Sequence, residues 1–162
     1  MRAGTQEGFS IVELIIAVAI AAIAGAIAMP AFHNFTENKK LKSAARALES
    51  DFFELKERAI AENRQFRLTI NVVPNNYTTE RCGAVAQSPC AGWEPPTVRD
   101  FSAIGTNIAI AGAPNTTETQ YTFQTRGTAT PGTVRLILTN RPSWAEITTN
   151  ITGRTYVRFD LQ

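Results

Sequence analysis

Gly8-Phe9-Ser10-Ile11-Val12-Glu13 opens an apolar run that continues to Met29 and stops at Pro30. Counted from Phe9 the run is 21 residues. As a helix rising ~1.5 Å per residue it is about 32 Å long, enough to cross a bilayer. The only charge inside it is Glu13. A lone carboxylate in hydrocarbon costs about 2.5–3.5 kcal/mol on insertion scales and marks a functional position by default. Some partner must offset it.

Working outward, apolar residues recur with heptad-like spacing from Phe32 to Arg64. Leu41, Leu48 and Leu55 form one row, and Ala45, Phe52 and Ala59 the next; charges including Lys42, Arg46, Glu49, Asp51, Lys56 and Glu62 lie between them. This predicts a one-sided amphipathic helix that continues the membrane segment, with Gly25 loosening it and Pro30 kinking it. A coiled coil is the alternative, although three heptads are few and packing on a sheet needs no partner chain.

Beyond Arg64 the period changes to two. Gln65–Val73 alternates Phe66, Leu68, Ile70 and Val72 against Arg67, Thr69 and Asn71, and Pro74-Asn75-Asn76 turns the chain back into Tyr77–Arg81. Further strands are predicted at Val98–Phe101, Asn107–Ile110, Gln120–Thr125, Thr133–Thr139, Ala145–Thr149 and Thr155–Phe159. One long helix followed by antiparallel strands is an α+β plan, in which the helix's apolar face covers one face of the sheet. The expected organisation is a leader at 1–8, a membrane helix at 9–30, an amphipathic helix at 31–64 and a β-rich globular domain at 65–162.

Gly8, Phe9, Glu13, the apolar stretch and Pro30 together resemble the type IV filament superfamily, the pilins and the pseudopilins of type II secretion. The resemblance implies that prepilin peptidase, a membrane enzyme, cuts after Gly8 and N-methylates Phe9. It also implies that Glu13, one helical turn on, pairs with a terminal amine, its own or that of an incoming subunit, and so sets axial register. Gly25 and Pro30 bracket a segment that can lose helical structure in assembled pili of this family. Two other readings compete. Ala26-Ile27-Ala28 is an A-x-A site for signal peptidase, but the apolar run exceeds the usual ~7–15 residues and an acid sits near its start. A plain single-pass anchor is the other.

The second half sharpens the resemblance. Tyr121–Gly127, Pro131–Leu136 and Ile147 through Gly153-Arg154 are similar to the GspH/FimT branch of minor pilins, with a Phe-x-x-x-Gly strand end and a late Gly-Arg before the last strand. FimT-like members bind DNA through a Gly-Arg-x-Arg motif in this region, and here the second arginine arrives at Arg158. In a strand, Arg154, Tyr156 and Arg158 share one face, and guanidinium groups flanking a ring can hold phosphates and stack on a base. The solvent face of a half-buried strand is the plainer reading.

Composition bounds the rest. The chain has 162 residues and a net charge of +2, room for one compact domain beyond the membrane segment and no signature of an obligate nucleic-acid binder. Cys82 and Cys90 are the only cysteines. Without a histidine cluster they point to a disulfide in an oxidising compartment, worth roughly 2–3 kcal/mol for so short a loop. With His33 as the single histidine, no catalytic set, metal site or cofactor motif is expected. Four N-x-[ST] sequons, at Asn34, Asn76, Asn115 and Asn150, are what Asn- and Thr-rich turns generate by chance.

The expected function is a non-enzymatic minor pilin or pseudopilin, built into an envelope filament at or near its tip. A GspH-type secretion pseudopilin is the alternative within the family, and a DNA-binding receptor module the alternative of another class. Expected partners are other pilins or pseudopilins, prepilin peptidase and the inner membrane, with DNA as a candidate. The expected location is the inner membrane with a periplasmic globular domain, then a periplasmic or extracellular filament.

Overall fold

The structure, a computed structural model, describes residues 10–85 and 88–162. Helix α1 spans Ile11–Ala61 without a break at Gly25 or Pro30. Ser10 starts it: its hydroxyl accepts the Val12 amide at 3.3 Å and its carbonyl the Leu14 amide at 3.1 Å. Glu13 then falls in the first turn, where a carboxylate favours the free amides and positive end of the helix. The chain divides into two compact units, residues 1–36 and 37–162. In the first, the large apolar side chains from Ile11 to Met29 are exposed, and this stretch is long and apolar enough to cross a membrane.

The second unit begins with the rest of α1. Leu41, Ala44, Ala45, Leu48, Phe52, Leu55 and Ala59 are all buried, so the two predicted rows form the packed stripe. Eight strands follow: β1 (Phe66–Asn71), β2 (Asn76–Arg81), β3 (Thr97–Asp100), β4 (Ile108–Ile110), β5 (Gln120–Phe123), β6 (Gly132–Leu138), β7 (Trp144–Thr149) and β8 (Thr155–Asp160). Each lies within two residues of its predicted span. Phe101, expected to end β3, opens a one-turn 3-10 helix instead. Asp100 caps that turn by accepting the Ser102 amide at 2.8 Å, a bond that holds its carboxyl below the ordinary range.

The strands form two four-stranded antiparallel sheets, ordered β3-β2-β1-β5 and β4-β6-β7-β8. A single sheet was expected. The chain crosses from the first sheet to β4, returns as β5 beside β1, and crosses again to finish the second. Phe52 of α1 meets Tyr121 and Phe123 of β5 edge-on, with centroids 4.9 and 5.6 Å away. On the second sheet, Lys42 and Arg46 lie over Phe159 of β8 at 5.9 and 5.5 Å. The sheets are joined at the β1–β2 turn. Asn75, at φ 72, donates its amide to the Ile108 carbonyl at 2.7 Å and accepts the Ile110 amide at 2.9 Å, closing the free edge of β4. Asparagine tolerates this left-handed backbone better than most residues.

Two acids of α1 are buried, Asp51, which was expected on the polar face, and Glu37. Asp51 accepts the Tyr77 hydroxyl at 2.5 Å and faces Arg99 at 3.4 Å. Burial first, and then the Asp51 carboxylate, push the Tyr77 hydroxyl well above its usual range. Glu37 pairs with Lys40 at 2.8 Å and accepts the Asn107 amide at 3.2 Å.

Candidate functional site

Three sets of sequence-predicted residues can be located. Gly8 and Phe9 lie outside the described residues. Glu13 is exposed in the first turn of α1 and makes no ion pair among the described residues. Gly25 has open space where a side chain would project, and Pro30 lies in the helical backbone. Cys82 and Cys90 form a disulfide, with Cα atoms 5.8 Å apart. It closes a loop that is tied down from below. Gln65, buried at the foot of β1, accepts the Cys90 amide at 3.0 Å, and Arg64 donates to the carbonyls of Cys82 and Gly83 at 3.2 and 2.5 Å.

Of the C-terminal trio, Tyr156 and Arg158 lie on β8 and Arg154 immediately precedes it. Tyr156 and Arg158 are exposed, while Val157 and Phe159 are partly buried against the core. The two arginines are not equivalent. Arg158 sits opposite Glu146 in the β7–β8 register, 3.9 Å from a carboxylate that Arg135 already holds at 2.7 Å. The Arg154 side chain makes no ion pair among the described residues; only its backbone is fixed, by the Asn150 carbonyl oxygen of the side chain at 2.9 Å. At ~3.3 Å per strand residue the pair is roughly 13 Å apart, too far for both to grip one phosphate.

Arg154 instead opens onto a groove of about 420 Å³ between α1 and the β7–β8 turn, lined with Arg46, Glu49, Ser50, Phe53, Lys56 and Thr155. Arg46 is held by Glu49 at 2.6 Å. Phe53 is exposed, an aromatic ring next to a helix stripe that it does not join. The sequence signal for this groove was Phe53 beside Phe52, one aromatic more than the buried face needs. Its cationic members, 108 residues apart in the case of Arg46 and Arg154, could not be associated before the fold was known.

The groove's rim explains the two motif glycines. Gly127 and Gly153 have φ of +80 and +67, and a Cβ on Gly153 would lie 2.6 Å from the Gly127 carbonyl oxygen and 3.0 Å from the Lys56 side chain. A Cβ on Gly127 would meet Ile60 at 3.0 Å. The Phe-x-x-x-Gly and Gly-Arg segments are thus two turns packed back to back against α1, and both need glycine for reach as well as for backbone sign.

Residues 4–29 match the prokaryotic N-terminal methylation motif. The fold is similar to that of the minor pseudopilin EpsH from the Type 2 Secretion System of Vibrio cholerae, at 16% identity and TM-score 0.55, covering 74% of this chain and 97% of that one. It is equally similar to the type IV minor pilin FimU of Pseudomonas aeruginosa, at 16% identity and TM-score 0.55, covering 76% and 92%. The chain carries this N-terminal motif ahead of a globular fold of the kind seen in EpsH and FimU. No curated protein matches the sequence significantly. Of the residues expected to act in processing and assembly, the methylation motif spans Gly8, Phe9, Glu13 and Gly25 and stops short of Pro30, and the solved structures match the fold alone.

Proposed function

We propose that this chain is a minor pilin or pseudopilin, a structural subunit of a type IV filament. The observation that carries the reading is the joining of a methylation motif at 4–29 to the fold found in EpsH and FimU. In this reading residues 1–8 are a leader removed by prepilin peptidase, and 9–30 anchor the subunit in the inner membrane and then pack in the filament core. The amphipathic stretch 31–64 leads into the globular domain at 65–162, which faces the periplasm. Cleavage creates an amine on Phe9, four residues from Glu13, and pairing of opposite charges removes most of the cost of placing either in hydrocarbon. Ala17, Ala21 and Gly25, spaced by four, give the helix a face on which neighbouring pilin helices approach closely.

The test is intact mass and N-terminal sequencing of protein recovered from membranes. The expected chain starts at N-methyl-Phe9. A chain starting at Met29, or one retaining Met1, overturns the reading. Type IV pilus and type II secretion are distinguished by which machinery, when deleted, abolishes its assembly.

A second reading, DNA binding at a filament tip, is favoured by one observation: Arg154, which makes no ion pair among the described residues, shares its groove with Arg46, Lys56 and the exposed ring of Phe53. Arg154→Ala is expected to lower DNA retention more than Arg158→Ala, because Arg158 already faces Glu146. Equal effects, or none, remove the groove from consideration.

A further inference from the structure

The outward face of the first sheet is not left open to solvent. Beyond β2, Ser88, Pro89, Cys90 and Trp93 lie across from it, and the two sides border a cleft of about 470 Å³. Ligand sites span about 300–1,000 Å³. Arg67, Gln120, Thr122, Gln124 and Thr130 line the sheet side, and Trp93 with Ser88 the loop side. We propose that this cleft binds a neutral saccharide.

The chemistry of the lining selects the ligand class. Its one charged side chain, Arg67, is held by Glu80 at 2.7 Å, so no unpaired cation awaits a phosphate or carboxylate. Amides and hydroxyls dominate, which disfavours an apolar ligand. The Gln120 amide and Thr122 hydroxyl have no hydrogen-bond partner among the described residues. Thr130 accepts the Thr122 backbone amide at 3.2 Å with its own hydroxyl hydrogen still free, and Gln124, whose carbonyl oxygen accepts from Gln65, keeps its NH2 group. Carboxamides carry a donor and an acceptor side by side, the pattern that vicinal hydroxyls satisfy.

An aromatic ring supplies the apolar contact that the C–H face of a sugar needs. Trp93 is fixed for that role by its bridge to Cys82 and by the Arg67 guanidinium 4.3 Å from its ring centroid. The floor is rigid as well: buried Gln65 ties Gln124, Ser88 and Cys90 together, so little ordering cost is added on binding. An extended peptide is disfavoured because the free edge of β5 is already taken. Thr130 donates to the Thr122 carbonyl at 3.1 Å and Gln124 to the Thr128 carbonyl at 2.8 Å, which blocks strand addition there.

The experiment uses the full chain in lipid nanodiscs, where no glycosidic detergent competes. With Trp144→Phe as background, Trp93 becomes the only indole, since the chain has two tryptophans. Chitotriose, cellotriose and maltotriose are titrated in turn while its fluorescence is followed. The expected result is a saturable shift with at least one of them. Gln120→Ala, at an exposed strand position, weakens that binding about tenfold, and Glu57→Ala, exposed on α1, leaves it unchanged. The proposal is overturned if none of the three sugars binds, if Gln120→Ala binds as well as its parent, or if a Thr/Gln-rich extended peptide saturates the site and the sugars do not.

Discussion

The two halves of α1 share one hydrogen-bonded backbone and meet different solvents. From Ile11 to Met29 the helix is apolar all round apart from Glu13 and its large apolar side chains are exposed; from Leu41 to Ala59 a single stripe is buried and the rest carries charge. A helix that is apolar all round must be buried in something outside itself, lipid or neighbouring helices, whereas a striped one can be satisfied by its own domain. The contrast separates the residues that hold the globular unit together from those whose exposed apolar surface has no partner within it.

Phe52→Ala attacks the striped half at its most enclosed point, among Tyr121 and Phe123. It is expected to destabilise the globular unit by about 3–5 kcal/mol in chemical denaturation. Val18→Arg attacks the other half. It should cost about 2.5–3.5 kcal/mol in membrane insertion, read as loss from the membrane fraction, with the denaturation midpoint of the globular unit unchanged. If Val18→Arg lowered that midpoint, the division of labour along the helix would be wrong. Gly153→Ala tests the contact of the turns with α1: the left-handed backbone and the Gly127 oxygen 2.6 Å away predict a loss of about 1–3 kcal/mol.

Smaller effects come from titration. Burial, then the Asp51 carboxylate for Tyr77 and the Glu118 carboxylate for Tyr121, raise both hydroxyls above their ordinary value of 10.0. A raised folded pKa gives stability that is complete below the unfolded value and is lost as pH rises past it. Stability should therefore decline from about pH 10 upward, and Tyr121→Phe should flatten that decline. Glu62 has the opposite sign. Burial pushes its carboxyl up, but hydrogen bonds and charge from Arg58 and Arg81 outweigh it and hold the group low, so its contribution is present above pH 4.5 and lost on acidification. As a surface pair it is worth about 0.2–1 kcal/mol, and Glu62→Gln should shift the midpoint at pH 7 by no more.

Much of this was legible in the chain. The stripe of Leu41, Leu48, Leu55, Ala45, Phe52 and Ala59 and the alternation in β1, β6 and β8 report local periods that burial must respect. Glu13 was legible because an acid has no ordinary place in an apolar run. What failed to show were features made by distant residues. Asp51 reads as one more surface acid until β2 and β3 bring Tyr77 and Arg99 to it. The Arg154 groove needs Arg46 and Lys56 from the helix, and the cleft over the first sheet needs a loop whose return path no period encodes.

By itself, then, the amino-acid sequence determined the long helix, the change from membrane to amphipathic character, the eight strands, the pairing of Cys82 with Cys90 and the processing motif, because each rests on neighbours in the chain or on a count of two cysteines. Only the tertiary structure decided that the strands divide into two sheets with β5 returning to the first, that Asn75 closes the edge of β4, and which polar side chains share a groove or a cleft. Those outcomes depend on which edges and faces meet in space, and local pattern carries no record of that choice.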